Sequence, residues 1–313
     1  MRLATPLSVG LAVLLAAAPA MAQRTPRTPR TPRGGRPSTS APSESGSAEP
    51  TGPVPTVADL PTILPHLSSG NTDEVLAAID QLTLVDDPQV VPPIVAMVRA
   101  GQPDAVTDRA IEALRTLAEP SSLDLLAELS HHRRAQVRRR AYAAIAAVHD
   151  PRARQLLEQG LRDSDRGVRG TAADLLGRTG ARASLDLLFR AFDRGVVEAA
   201  SAIGRLGDAS SVERFDEHLG HAPLSVMLSG YEQYLARTDI DEDTKVEIVG
   251  RLGDVSGRTV REFLGQYLLT FPERDRSRLR TVVRDTLARI PTDAPAAPRG
   301  APAPAPTTAG GAQ

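Results

Sequence analysis

The apolar positions of this chain recur with two periods at once. Within a segment they follow a helix: Val137, Ala141, Ala144, Ile145 and Val148 fall on one stripe, with polar residues between them. Between segments they follow a longer step. Val106, Val137 and Val168 lie 31 residues apart, and Ala110, Ala141 and Ala172 keep the same interval. Leu114, Ile145 and Leu176 close the three segments in register. The turns repeat as well: Pro88, Pro120 and Pro151 follow Asp87, Glu119 and Asp150 at steps of 32 and 31.

This pattern predicts a run of helix pairs. A broken or capping helix over 57–67, interrupted by Pro61 and Pro65, precedes a first regular helix over 72–84. Pairs are expected at 88–98 with 104–118, 121–130 with 135–148, 151–161 with 166–178, and 184–192 with 196–205. Asp150 is placed to cap the helix that Pro151 opens. Gly180, Gly207 and Gly253 are expected to end second helices in the left-handed conformation. Beyond Ser210 helices are expected at 211–219, 224–236, 241–252, 259–270 and 273–290 without a clean period. One pair cannot bury its own stripe, so the pairs must stack, and the half-polar last helix suits the open end of the stack.

The unit at 165–177 carries Asp165, Val168, Arg169, Ala172, Ala173, Leu176 and Gly177 in an order that resembles the HEAT repeat in its short bacterial form, the type also found in pigment-attaching lyases. The preceding unit matches at Val137, Arg138 and Ala141 but has Ala135 and Gln136 where the acidic residue belongs. The unit before that departs further, with Thr107 in place of the arginine. The following unit is shortened, so that Gly177 and Gly204 are only 27 apart. Residues 204–210 and 250–256 then share Gly-Arg-Leu-Gly-Asp-x-Ser. The resemblance spans roughly 73–257. It implies an all-α, right-handed solenoid used as a binding scaffold, in which Arg138 and Arg169 bond a neighbouring repeat's aspartate or carbonyls. It is nearly silent on function.

Composition places this stack outside the cytoplasm. Residues 1–22 read as a secretory signal: Arg2, an apolar core over 7–18, and the small-x-small site of Ala20 and Ala22. The absence of cysteine excludes a lipoprotein anchor and disulfides, and no other stretch approaches a membrane span. Periplasm and secretion both fit. Residues 23–56 form a linker in which Arg24, Arg27, Arg30, Arg33 and Arg36 recur every third residue, the period of polyproline II, so that all five would line one edge of such a helix. It serves either as a stiff spacer reaching roughly 100 Å or as a tether to an anionic envelope surface. Residues 57–290 carry the solenoid, and 291–313 are Ala/Pro-rich and expected to be disordered.

The strongest local feature is the basic run from His131 to Arg140. Arg133, Arg134, Arg139 and Arg140 have no evident structural duty and are the candidate binding residues, either as a solvated face or as a patch for an anion or acidic partner. Net charge is −1 and aromatics are 3%, so no nucleic acid is expected. Asp239, Asp241 and Asp243 imitate a calcium loop but meet Thr244 and Gly250 where glycine and glutamate are needed, and Asp241, Glu242 and Asp243 read instead as carboxylates at a helix N-terminus. His218 and His221 have a metal spacing without a third ligand. No thiol, phosphate loop or Gly-x-Ser-x-Gly motif is present, so neither a catalytic residue nor a cofactor or metal is expected. The sequence therefore points to a non-enzymatic extracytoplasmic scaffold that binds a protein partner on its concave face. The alternatives are an electrostatic tether through the Arg-Thr-Pro segment and the 133–140 patch, and an enzyme of the kind some HEAT relatives are, which attach pigments to proteins or excise DNA bases.

Overall fold

A computed structural model describes residues 54–85 and 87–291. All of them lie in one compact unit, and the expected signal sequence, nearly all of the linker and the Ala/Pro-rich tail lie outside the described residues. Helices make up this unit throughout. The broken first element is 3₁₀ turn, short helix α1 (Leu60–Ile63), 3₁₀ turn, and α2 (Thr72–Thr83) follows. Next come α3 (Val91–Arg99) and α4 (Asp104–Leu117), α5 (Leu123–Leu129) and α6 (Ala135–Ala147), α7 (Pro151–Gly160) and α8 (Arg166–Arg178), α9 (Leu185–Asp193) and α10 (Ala199–Leu206), and α11 (Ala209–Asp216) and α12 (Leu224–Ala236). The chain continues through α13 (Glu242–Val255), α14 (Arg258–Leu269) and α15 (Arg278–Arg289).

Polar residues at the turns start these helices. Asn71, Asp87, Asp150, Asp165, Asp208 and Asp241 each accept a backbone N–H of the first turn that follows, and such a cap is worth about 1 kcal/mol. The apolar stripe then decides the packing. Val137, Ala141, Ala144 and Ile145 are wholly buried, as are Val168, Ala172, Ala173 and Leu176. The second helices α2, α4, α6, α8, α10 and α12 stack one on the next and form one layer. Small residues set their spacing: a Cβ on Gly177 would come within 2.9 Å of the Ala202 Cα on α10.

The first helices form the other layer, and ion pairs tie it across the units. Arg99 reaches Glu128, Arg152 reaches Asp124 and Arg214 reaches Asp186. Serines buried in this layer return their hydroxyls to acceptors nearby: Ser122 to the Glu119 carbonyl at 2.7 Å, and Ser184 to the Glu158 carboxylate at 2.6 Å. The molecule is an α-solenoid.

Three expectations need correction. The last helix begins at Arg278, not 273, because the Ser277 hydroxyl caps it and Asp275 accepts the Ser277 N–H at 2.6 Å. Only Gly180 of the three expected caps is left-handed, with φ of 72°. Gly207 is extended and is required for space, since a Cβ there would fall on the Tyr234 and Ser211 hydroxyls. Gly253 lies inside α13, where its missing side chain admits Thr286 of α15; the helix ends instead at Ser256 and Gly257, both at positive φ.

Candidate functional site

The two arginines of the repeat act in the same way. Arg138 donates from Nη1 to the His132 and Arg133 carbonyls at 2.9 and 3.3 Å, and Arg169 donates to the Asp163 and Ser164 carbonyls at 2.9 and 3.0 Å. Each closes the turn that precedes its own helix. For Arg169 this corrects the expectation of a bond to a neighbouring repeat, since among the described residues its side chain reaches only its own turn. Arg138 also grips Asp163 of the next unit with both prongs, at 2.8 and 2.7 Å. Those two side chains are only 11% and 10% exposed. Burial pushes the Asp163 carboxyl up, but the bonds from Arg138 and from the Asp165 N–H outweigh it and hold it below the usual range. Val137, Ala141, Val168 and Ala172 lie beneath these arginines in the core.

The four arginines expected to be without structural duty divide. Arg134 pairs with Asp104 at 2.5 Å, and Arg140 with Asp108 at 2.6 Å, so both stitch α6 to α4. The sequence period hides these partners, because they lie about one unit upstream. Arg139 bonds Gln136 at 2.6 Å and lies against Gly167 of α8. Arg133 is exposed and, among the described residues, its side chain bonds nothing. The run is therefore half inter-helix staple and half surface.

The acidic stretch that imitates a calcium loop is consumed by local bonds. Asp239 takes a two-pronged contact from Arg237 at 2.9 and 2.7 Å and another from Arg182, and the Arg237 bond draws its carboxyl far below the usual range. Asp241 caps α13 through the Thr244 N–H at 2.8 Å, and Asp243 pairs with Arg278. His218 has both ring nitrogens engaged, Nε2 with Asp193 at 2.8 Å and Nδ1 with the Arg214 carbonyl at 3.2 Å. Among the described residues no group of three or more His, Asp or Glu is placed to hold a metal ion.

The feature that sequence reasoning missed is a hollow in the second-helix layer. It runs across α8, α10 and α12 with a volume of about 560 Å³. Its cause is the shortened unit: α10 has 8 residues against 13 in each of α8 and α12, so its first turn is set back between longer neighbours. The floor is small, built from Gly167, Gly170, Thr171, Ser201, Ser225 and Ser229. Glu198 lies across the backbone of Gly170, where any side chain would collide with its carboxylate. Asp174 on the wall is held by Arg205 at 2.9 Å and Arg178 at 2.8 Å, whereas Glu198 makes no hydrogen bond or ion pair among the described residues. The step of 27 was the visible signal; the i, i+4 spacing of Gly167 with Thr171, and of Ser225 with Ser229, was the other. A second hollow of about 470 Å³ lies further along the layer, beside Leu76, Ala105, Glu112 and Arg140.

Residues 125–202, from α5 into α10, match the family of HEAT repeats. This segment is built of HEAT repeats. It contains the two units whose arginines close their turns and most of the hollow, and HEAT repeats typically serve as protein-interaction scaffolds. No curated protein matches the chain. Among solved structures it is similar to a homology model of the full-length AP-3 complex in an intermediate open conformation, at 15% identity and a TM-score of 0.47, covering 73% of this chain and 49% of that one. It thus spans about half the length of that chain. It is also similar to a crystal structure of an engineered protein, at 18% identity and a TM-score of 0.28, covering 74% of this chain and 96% of that one.

Proposed function

We propose that this HEAT-repeat protein is a non-enzymatic scaffold outside the cytoplasm that binds a protein partner along its second-helix layer, the concave face of the stack. The hollow across α8, α10 and α12 carries this reading. Its small floor residues bring three helix backbones close to the surface, so a partner segment can lie against them. Glu198 offers that segment a carboxylate already aimed at the hollow, suited to a basic side chain. The extracytoplasmic placement rests on residues 1–22 alone.

The tether reading loses part of its footing, because Arg134 and Arg140 are neutralised by Asp104 and Asp108. Its remaining support is the Arg-Thr-Pro segment, outside the described residues.

The test is capture from an envelope fraction by the mature chain, beside a variant carrying Ser201→Arg and Ser225→Arg. These two substitutions fill the hollow without touching the core. A defined protein retained at high salt by the parent and lost by the variant supports the proposal. Equal capture by both removes the hollow from the account, and capture that vanishes in salt for both favours the tether.

A further inference from the structure

The regular ladder of second helices stops at α12. Beyond it, α14 lies beside the end of α12 without stacking closely on it, and a groove of about 500 Å³ is left between the two. Phe263, Tyr267 and Phe271 line one side and Leu235 the other, with Pro272 at one end. The Tyr267 and Phe271 rings meet edge to face at 5.1 Å, which leaves a slot beside them rather than a filled core. The Tyr267 hydroxyl reaches back to the Leu235 carbonyl at 3.4 Å, and burial pushes it up to about 12. Glu232 stands on the rim and makes no hydrogen bond or ion pair among the described residues. An aromatic slot with an acidic rim fits a polyproline-type segment followed by a basic residue.

The chain itself carries such a segment. Pro295 and Pro298 are spaced three apart and Arg299 follows directly. At three residues per turn both prolines would lie on one edge of a polyproline II helix. The place where the described chain ends also fits. Arg261 of α14 donates to the Leu287 and Ile290 carbonyls at 2.8 and 2.6 Å, so the end of α15 is fastened to the helix that lines the groove. Tyr267 lies six residues beyond Arg261, about 9 Å along the helix axis. Pro295 lies five residues beyond Ile290, a reach of about 16 Å when extended.

We propose that the groove between α12 and α14 is the docking site of this chain's own segment 295–299, with the two proline rings on Tyr267 and Phe271 and Arg299 toward Glu232. The occupant is intramolecular, and its site is separate from the hollow on α8, α10 and α12.

The chain has no cysteine, so introduced pairs report without background. In the full chain, Ala297→Cys is combined with Thr270→Cys at the groove or with Arg284→Cys on the exposed face of α15. Arg284 lies about 9 Å from the end of α15, so an undocked tail meets it at least as often as the groove. Under the same mild oxidation, the disulfide within one chain should form at least about tenfold faster at Thr270, reflecting the raised local concentration of a docked segment. Phe271→Ala should erase that preference, and so should replacement of both Pro295 and Pro298 by serine, which leaves the helices untouched. Equal rates at the two positions, disulfides found only between chains, or a preference that survives loss of both prolines would overturn the proposal. Helical circular dichroism of each variant establishes that a lost preference is not lost folding.

Discussion

Arg138 and Asp216 show how differently a charged residue can be held in one stack. Arg138 was legible in the sequence through its place after Val137, and the structure gives it four bonds and a nearly buried partner. Removing one member of a buried pair strands the other. Arg138→Ala should therefore cost about 3 kcal/mol or more in urea unfolding, and Arg138→Lys should restore less than half of that, since lysine lacks the fork. The low carboxyl of Asp163 adds a pH signature. A lowered carboxyl contributes stability above its unfolded value, near 4, and that contribution should disappear as pH falls through the folded value. Asp216 was not legible, because its partners come from helices outside the regular period. It accepts the Tyr231 hydroxyl and pairs with Arg251, and Glu247 and Glu213 stand nearby. Burial pushes its carboxyl up, against the pull of Tyr231 and Arg251. A raised carboxyl holds its proton longer in the folded state, so stability should fall as pH rises between the unfolded and folded values. Asp216→Asn should remove this slope and keep an acceptor for Tyr231. Asp216→Ala should instead leave that hydroxyl unpaired, at a cost of about 1–3 kcal/mol. Unfolding followed from pH 4 to 7 should show the slope in the parent and in neither variant, and the stability of the two variants at one pH separates the lost acceptor from the lost charge.

At the scale of elements, helix pairing was readable because stripe, cap and step all repeat. Thr107 stands where the repeat has arginine and lies outside the matched segment, yet α4 stacks on α2 and α6, since Val106, Ala110 and Leu114 still present the stripe. The shared heptapeptide misleads for the opposite reason. Residues 204–210 straddle the end of α10 and the start of α11, whereas 250–256 run through the last turns of α13. Identical letters therefore meet different surroundings. A Cβ on Gly204 would fall on the Gly230 carbonyl of α12, where two helices touch backbone to backbone, and one on Gly250 would meet open space. Gly204→Ala should lower the melting temperature by separating α10 from α12. Gly250→Ala, in the middle of a helix, should raise it through a propensity gain of up to about 1 kcal/mol. Thermal unfolding of both variants reads the opposite signs directly. The groove between α12 and α14 was invisible for a related reason: it lies between two helices that are not consecutive in the chain, and no local pattern encodes a distance between elements.

For the whole molecule, the number and order of helices came from the sequence, and the surface did not. The basic run is prominent in the sequence, but its charge is partly spent between α4 and α6. The small residues of the hollow are inconspicuous in the sequence and gain meaning only when α8, α10 and α12 lie side by side. The account therefore turns on which layer meets the partner. The most direct measurement is site-specific photo-cross-linking in an envelope fraction, with a photoreactive residue at Ser225 on α12 or at Arg190 on the exposed side of α9. Both positions are exposed, so access alone does not favour either. The scaffold account predicts a discrete adduct from Ser225 and none from Arg190. An adduct from Arg190 alone would place the partner on the first-helix layer and contradict it.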